Sequence, residues 1–171
     1  MTLSEFNALR SNEAESALMD CCGSARWAAS VAMRRPYATV EALQKAAGSI
    51  WWNLDRADWL EAFSHHPQIG DKPASGTESA RQWAEGEQTG AHVATEDVKA
   101  RLARANRAYF EKFGYIYIVC ATGKTAERML AILNQRLQND PPSEISIAAE
   151  QQRMITHIRL EKLLANERQS S

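Results

Sequence analysis

The stretch TEDVKARLARANRAYFEKFGYIYIVCATGKTAERMLAILNQRLQN, residues 95–139, decides the fold because it places the chain's one strand-like run between two helical segments. Thr95 is followed by two acidic residues, a pattern typical of a helix start. Gly114 follows Phe113, and glycine is the residue that most often ends a helix. The stretch therefore opens with a long helix from Thr95 to Phe113.

The strand-like run is YIYIVCA, Tyr115–Ala121. It is rich in aromatic and β-branched residues, which favour strands. Because one strand cannot form a sheet, we interpret this run as a buried extended segment between helices. Helix then resumes from Thr125 to Asn139, where Pro141 and Pro142 are expected to end it.

The rest of the chain also consists of helical segments separated by turn residues. Capping residues, glycines and prolines delimit helices around ALMDCC, ARWAASVAMRR, VEALQKAAGSIWWNL and WLEAF, and over residues 79–88 and 143–168. We therefore predict an all-α fold, a single-domain bundle (residues 1–171) of about eight helices with one short extended segment near residues 115–121.

Composition restricts the possible partners. The 171 residues carry a net charge of −1, which gives no electrostatic reason to expect nucleic acid or an anionic membrane as partner. The longest apolar stretch is too short for a membrane span, and acidic residues occupy the positions of a signal-peptide core, so we expect a cytoplasmic protein. The three cysteines form no C-x-x-C pair, and His92 and His157 have no partner at ligand spacing, so no metal site is predicted.

His66 is a candidate acid or base. It precedes Pro67 in the loop HHPQIGDKPASGT, residues 65–77, which holds two prolines and two glycines. A residue before proline is kept out of helical geometry, so His66 should project from an ordered corner after the preceding helix. Histidine suits proton transfer near neutral pH because its unperturbed pKa is about 6.5. The alternative is a histidine that merely interacts with the helix dipole.

Glu87 is a second candidate, in the segment SARQWAEGEQTGA. Trp83 and Glu87 are four residues apart and share one helix face. If Trp83 faces the core, the Glu87 carboxylate lies beside an apolar surface, where it can orient a histidine. The alternative is a solvated glutamate at a helix end.

Arg159 interrupts the apolar stripe of Ile155 and Leu163 on the last helix. Arginine is rarely buried without a partner, so we expect a carboxylate beside it, from either the protein or a substrate.

The segment IVCATGKTAE partly matches a phosphate-binding loop. Ile118 stands where that loop needs its first glycine, so nucleotide binding is not predicted. That segment either binds an oxygen at the next helix start or is a plain tight turn.

The order and spacing of several segments resemble those of the 2-oxo-4-hydroxy-4-carboxy-5-ureidoimidazoline (OHCU) decarboxylase family. The segments are CCGSARWA, RP, DWLEAFSHHPQIGDK, EGEQTGA, FEKFGYIYIVCATGKTAERML and THIRLEKLL, and the resemblance runs from Phe6 to Leu164. It implies an all-helical carboxy-lyase of urate breakdown, often a homodimer, that needs no cofactor and converts the small molecule OHCU into (S)-allantoin.

The resemblance also implies the site residues. His66 and Glu87 are catalytic, and the substrate-binding residues are Pro67, Gln88, Ile116, Ile118 and Arg159. Two positions depart from the family pattern: Ala84, where many relatives carry serine, and Thr122, where some carry arginine.

The implied chemistry explains why no pyridoxal phosphate or thiamine is expected. The substrate's imidazoline ring contains a conjugated C=N bond that accepts the electron pair left by decarboxylation. His66 then handles the proton of the substrate hydroxyl, and Glu87 orients His66 or that hydroxyl. Two alternatives stay open: a cofactor-free hydrolase of ureides or cyclic amides that uses the same pair, and a non-catalytic helical interaction module.

Overall fold

The computed structural model of the chain describes residues 1–71 and 76–165. Within these ranges the chain is all-α, as predicted, with ten helices and no strand. The helices are α1 (Leu3–Ala8), α2 (Ser11–Cys21), α3 (Ala25–Met33), α4 (Val40–Trp52), α5 (Arg56–Ser64), α6 (Glu78–Glu87), α7 (Thr89–His92), α8 (Glu96–Phe113), α9 (Ala126–Arg136) and α10 (Pro141–Leu163). The described residues divide into two compact units: residues 1–62 with 153–165, and residues 63–71 with 76–152.

The sequence predicts about eight helices, and the additional two are α1 and α7. They have six and four residues, too few to show helical periodicity. A capping box begins α1: Thr2 Oγ1 accepts a hydrogen bond from Glu5 N at 3.1 Å, and Glu5 Oε2 accepts one from Thr2 N at 2.7 Å. Local capping therefore supports a helix that periodicity does not reveal.

The signals that delimit the central stretch are confirmed. Thr95 Oγ1 accepts a hydrogen bond from Val98 N at 3.4 Å at the start of α8. Gly114 ends α8 with φ +83°, a left-handed conformation that favours glycine. Residues 116–121 then form neither helix nor strand and are largely buried, so the predicted non-helical segment between α8 and α9 is present.

Pro141 and Pro142 lie inside the last helix, which differs from the prediction. Pro141 is the first residue of α10, whereas the sequence predicts that the helix begins at Ser143. The first helical N–H groups have no partner within the helix, so proline is tolerated there. Asp140 caps this turn by accepting a hydrogen bond from Ser143 N at 3.0 Å. The predicted helix end near Arg168 lies outside the described residues.

The first unit is packed around tryptophans. Trp27 is fully buried, and its indole N–H donates to the carbonyl of Ala47 at 3.0 Å. Trp59 donates in the same way to the carbonyl of Trp51 at 3.0 Å, and the two indole rings lie 5.9 Å apart. The N–H groups of the buried Trp27 ring and the half-buried Trp59 ring are thus both satisfied, as packed tryptophans require. These contacts join α3, α4 and α5.

The core of the second unit contains a buried ion pair. Arg136 Nε donates to Glu144 Oε1 at 2.7 Å, and Tyr109 donates to the same oxygen. The guanidinium also lies 4.9 Å from the ring of Tyr117 and donates to the carbonyl of Ile118 at 2.6 Å. Burial raises the pKa of the Tyr109 and Tyr117 hydroxyls, so both remain protonated donors. Through Ile118, this network anchors the 116–121 segment to α9.

Candidate active site

The loop that carries His66 is ordered by short main-chain hydrogen bonds. His66 N donates to the carbonyl of Phe63 at 3.2 Å, one residue before the end of α5. After Pro67, Asp71 N donates to the carbonyl of Gln68 at 3.0 Å, which closes a tight turn. Gly70 adopts φ +97° in that turn, a conformation that side-chain-bearing residues rarely adopt. The backbone therefore holds His66 at a defined corner, as the sequence predicts.

A side chain of α10 contacts the His66 ring directly. Nε2 of His66 lies 2.6 Å from Oε1 of Gln152, and Gln152 has no solvent exposure. Farther along the loop, Asn106 of α8 donates to the carbonyl of Ile69 at 3.5 Å. Side chains of α8 and of the part of α10 that lies in the second unit thus contact the loop on which His66 stands.

Glu87 and Gln88 are both buried at the end of α6. Glu87 is 9% exposed and Gln88 is 5% exposed, so the alternative of a solvated glutamate is wrong. Gln88 Oε1 accepts a hydrogen bond from Gly70 N at 3.0 Å. This bond joins the two sequence segments that carry the candidate acid/base groups. It places a carboxylate-bearing helix end next to the histidine loop.

The glycine after Gln88 allows a close main-chain approach. A Cβ atom built on Gly90 would lie 2.1 Å from the carbonyl oxygen of Lys124, so α7 packs directly on the backbone that precedes α9. Lys124 N donates to the carbonyl of Ala121 at 3.0 Å, and Lys124 Nζ donates to the carbonyl of Cys120 at 2.7 Å. The GKT segment thus forms a tight turn before α9.

We expect Gly90→Ala to destabilise the protein by about 1–3 kcal/mol, because the added methyl group would collide with main-chain atoms that cannot rotate away. Urea unfolding followed by circular dichroism measures the change. Gly86→Ala is the matched control: a Cβ at Gly86 meets nothing within 4 Å, and alanine should stabilise that helical position by about 0.5–1 kcal/mol. Equal effects of the two substitutions would contradict the close approach of α7.

The 116–121 segment is held from two sides. Gln151 of α10 accepts a hydrogen bond from Cys120 N at 2.9 Å, and the Ile118 carbonyl is bound by Arg136. Ile118 is 2% exposed, while Ile116 is half-buried. The two residues that the resemblance assigns to substrate binding therefore lie on a backbone that is hydrogen-bonded to side chains of α9 and α10.

Arg159 belongs to the first unit, where it is 7% exposed. Its Nη1 donates to the carbonyl of Asp20 at 3.3 Å, so one partner of this arginine is a main-chain oxygen near the end of α2.

The thiol of Cys22 lies near Arg159. Burial raises the pKa of this thiol to about 12, and this effect is opposed only in part by a hydrogen bond with Thr156 and by the charge of Arg159. Cys22 is thus a neutral thiol at physiological pH.

Sequence reasoning missed the two glutamines of α10. Gln151 binds the 116–121 segment and Gln152 binds His66. The spacing of Gln152 is the one signal that could have revealed it, because Gln152 follows Ala148 by four residues and precedes Ile155 by three, as on one helix face. In the structure all three residues are buried. A polar residue in such a stripe needs a buried hydrogen-bond partner.

The two departures from the family pattern lie in different environments. Ala84 is 5% exposed within α6, one turn before Glu87, so a side chain at this position faces the interior. Thr122 is exposed in the turn before α9.

Over residues 1–71 and 76–165, no cluster of three or more His, Cys, Asp or Glu side chains has the geometry to hold a metal ion. None of the helices in the same ranges is long and apolar enough to cross a membrane.

Comparison with known proteins assigns the family. The OHCU decarboxylase family profile matches residues 7–161. The chain is 39% identical to the uric acid degradation bifunctional protein TTL of Arabidopsis thaliana over 85% of this chain, but it spans only 46% of that protein. It is 29% identical to the OHCU decarboxylase of Amia calva, over 80% of this chain and 79% of that protein.

A solved structure agrees with this assignment. A crystal structure of OHCU decarboxylase, obtained in the presence of (S)-allantoin, superposes with a TM-score of 0.77 at 36% identity and covers 88% of this chain and 98% of that one. The shared helical fold and the profile match over nearly the full length lead to one conclusion. The chain belongs to the OHCU decarboxylase family.

Proposed function

We propose that this chain decarboxylates OHCU to (S)-allantoin, with His66 as the acid/base group and Glu87 as its assistant. The observation that carries the proposal is the hydrogen bond from Gly70 N to Gln88 Oε1, which joins the histidine loop to the helix end that bears Glu87. These are the two segments whose joint presence the family resemblance rests on. An interaction module gives no reason for them to be joined.

The proposed reaction breaks the bond between the substrate carboxylate and the ring carbon. The bonding pair moves into the conjugated C=N group, whose nitrogen takes up a proton, and carbon dioxide leaves behind an enol-like intermediate. A second proton then adds to the ring carbon on one face, and loss of the hydroxyl proton produces the new carbonyl group of allantoin. His66 moves these protons, and the buried Glu87 carboxylate orients His66 or the hydroxyl.

The remaining residues hold the substrate so that the breaking bond stands perpendicular to the ring plane. We assign Gln88 and Arg159 to the ring and ureido groups and Pro67 to the wall beside His66. Main-chain groups of Ile116 and Ile118 complete the set. The carbonyl of Ile118 already accepts a hydrogen bond from Arg136. We therefore assign the N–H group of Ile118 to the contact with substrate.

Circular dichroism of freshly prepared OHCU, followed with and without the protein, tests the proposal. We expect the protein to accelerate the appearance of a single enantiomer, (S)-allantoin. A ring-opened product would identify the hydrolase instead. An unchanged signal would leave only the interaction module.

Two further parts of the proposal concern the state of the protein in the cell. We propose a homodimer, which sedimentation equilibrium tests by mass. We also propose a cytoplasmic location, which cell fractionation tests. A monomeric mass at assay concentration would remove the dimer from the proposal without affecting the reaction.

Arg159→Ala is expected to raise KM about 10- to 100-fold, because a hydrogen bond to a charged group contributes about 1.5–3 kcal/mol. Steady-state kinetics with OHCU measure the change, and a thermal melt shows whether the loss of the Asp20 contact also lowers stability. Arg159→Lys keeps the charge but loses the planar fork, so an intermediate KM is expected. A folded Arg159→Ala protein with wild-type KM would make Arg159 purely structural.

A further inference from the structure

We propose that Gln152 is a positioning residue for His66, one that sets which ring nitrogen carries the proton. This inference rests on the proposed function, because it assigns the role of an acid/base group to a specific atom. It starts from one contact, the 2.6 Å separation of Gln152 Oε1 and His66 Nε2. Gln152 is fully buried within α10, so its side chain cannot exchange this partner for solvent.

The contact selects one tautomer of the imidazole. In a neutral imidazole, one nitrogen carries the proton and donates while the other carries the lone pair and accepts. A carboxamide oxygen can only accept. Nε2 of His66 therefore carries the proton, and Nδ1 carries the lone pair that removes a proton from the substrate.

A carboxamide suits a histidine that both takes up and returns a proton. When Nδ1 is protonated, Nε2 still donates to Oε1, so the ring keeps its orientation in both protonation states. A carboxylate at the same place would attract the imidazolium and oppose return of the proton. The neutral oxygen of Gln152 orients the ring without holding the charge.

The backbone around His66 supports this role. His66 N is bound to the Phe63 carbonyl, and Pro67 restricts the residue before it. These constraints set the position of Cα but leave rotation of the ring about its side-chain bonds. The contact with Gln152 removes that remaining freedom, as groups that orient functional histidines do.

Two substitutions separate the acceptor from the volume of the side chain. Gln152→Leu removes the oxygen at similar size, and Gln152→Glu keeps an oxygen acceptor. Nitrogen-15 NMR of the labelled protein reads the His66 tautomer, and His66→Ala identifies its signals among the four histidines. Gln135→Leu, on an exposed position of α9, is the matched control and should change neither the tautomer nor the turnover.

We expect the wild-type protein and Gln152→Glu to show His66 protonated on Nε2, and Gln152→Leu to show the Nδ1 form or a mixture. Gln152→Leu should lower kcat about 10- to 100-fold with KM changed less than about twofold. An Nδ1 proton in the wild-type protein would overturn the inference, as would a Gln152→Leu protein with unchanged tautomer and turnover. Should Gln152→Leu not fold, the wild-type and Gln152→Glu spectra still decide.

The same measurements separate this inference from the proposed function. A wild-type protein that forms no (S)-allantoin refutes the function, whatever the tautomer. A wild-type protein that forms it with His66 protonated on Nδ1 keeps the function and refutes the role of Gln152.

Discussion

Replacing His66 with alanine is expected to lower kcat for (S)-allantoin formation by about 10²–10⁴-fold, the usual contribution of a positioned acid/base group. KM should change much less, because the residues assigned to substrate binding stay in place. An allantoin-formation assay at saturating substrate measures the loss. The variant should remain folded, since His66 is half-buried and its main-chain bond to Phe63 does not depend on the side chain.

His65→Ala is the matched control for this prediction. His65 is the neighbouring histidine, it is exposed, and it has no role in the proposed mechanism. Its replacement should leave turnover near the wild-type level. Near-normal turnover in His66→Ala, or equal losses in the two variants, would remove His66 from the mechanism while leaving the family assignment intact.

The features that the sequence predicts correctly are local ones. Thr95 and Gly114 delimit α8 because the caps involve atoms within four residues, so the signal and its effect are adjacent in the chain. The 116–121 segment is predicted for a similar reason, since its composition differs from that of every other part. His66 and Glu87 are candidates for a similar reason, since proline and helix-end patterns mark their positions, and their catalytic roles stay predictions.

The features that the sequence does not predict depend on partners far apart in the chain. Gln152 binds a residue 86 positions away, and Gln151 binds one 31 positions away, so neither contact leaves a local pattern. Pro141 misleads for another reason, because proline ends a helix from inside but is tolerated in its first turn. The sequence therefore predicts neither the start of α10 nor the contacts that its two glutamines make.

Glu144→Gln is expected to destabilise the protein by about 3–5 kcal/mol, because it leaves the Arg136 guanidinium buried without its carboxylate. Glu144 has no solvent exposure, and the Arg136 side chain is 7% exposed, so water cannot replace the lost charge. Asn139 also loses the negative acceptor to which it donates at 2.9 Å. Urea unfolding gives the free energy of unfolding of both proteins.

The control is Glu78→Gln, which removes the same charge from an exposed ion pair with Arg81 in the same unit. Both partners there are solvated, so the unfolding midpoint should hardly move. A loss for Glu144→Gln as small as that for Glu78→Gln would mean that the buried pair contributes nothing to the core.

The double substitution Arg136→Met with Glu144→Leu shows which part of the loss comes from the stranded charge. No charge stays buried in that variant, so it should be more stable than Glu144→Gln. It also removes the guanidinium that binds the carbonyl of Ile118. If that bond positions the 116–121 segment for substrate, the double variant should be more stable than Glu144→Gln and yet have a KM above that of the wild-type protein. A wild-type KM in the double variant would confine the pair to a structural role.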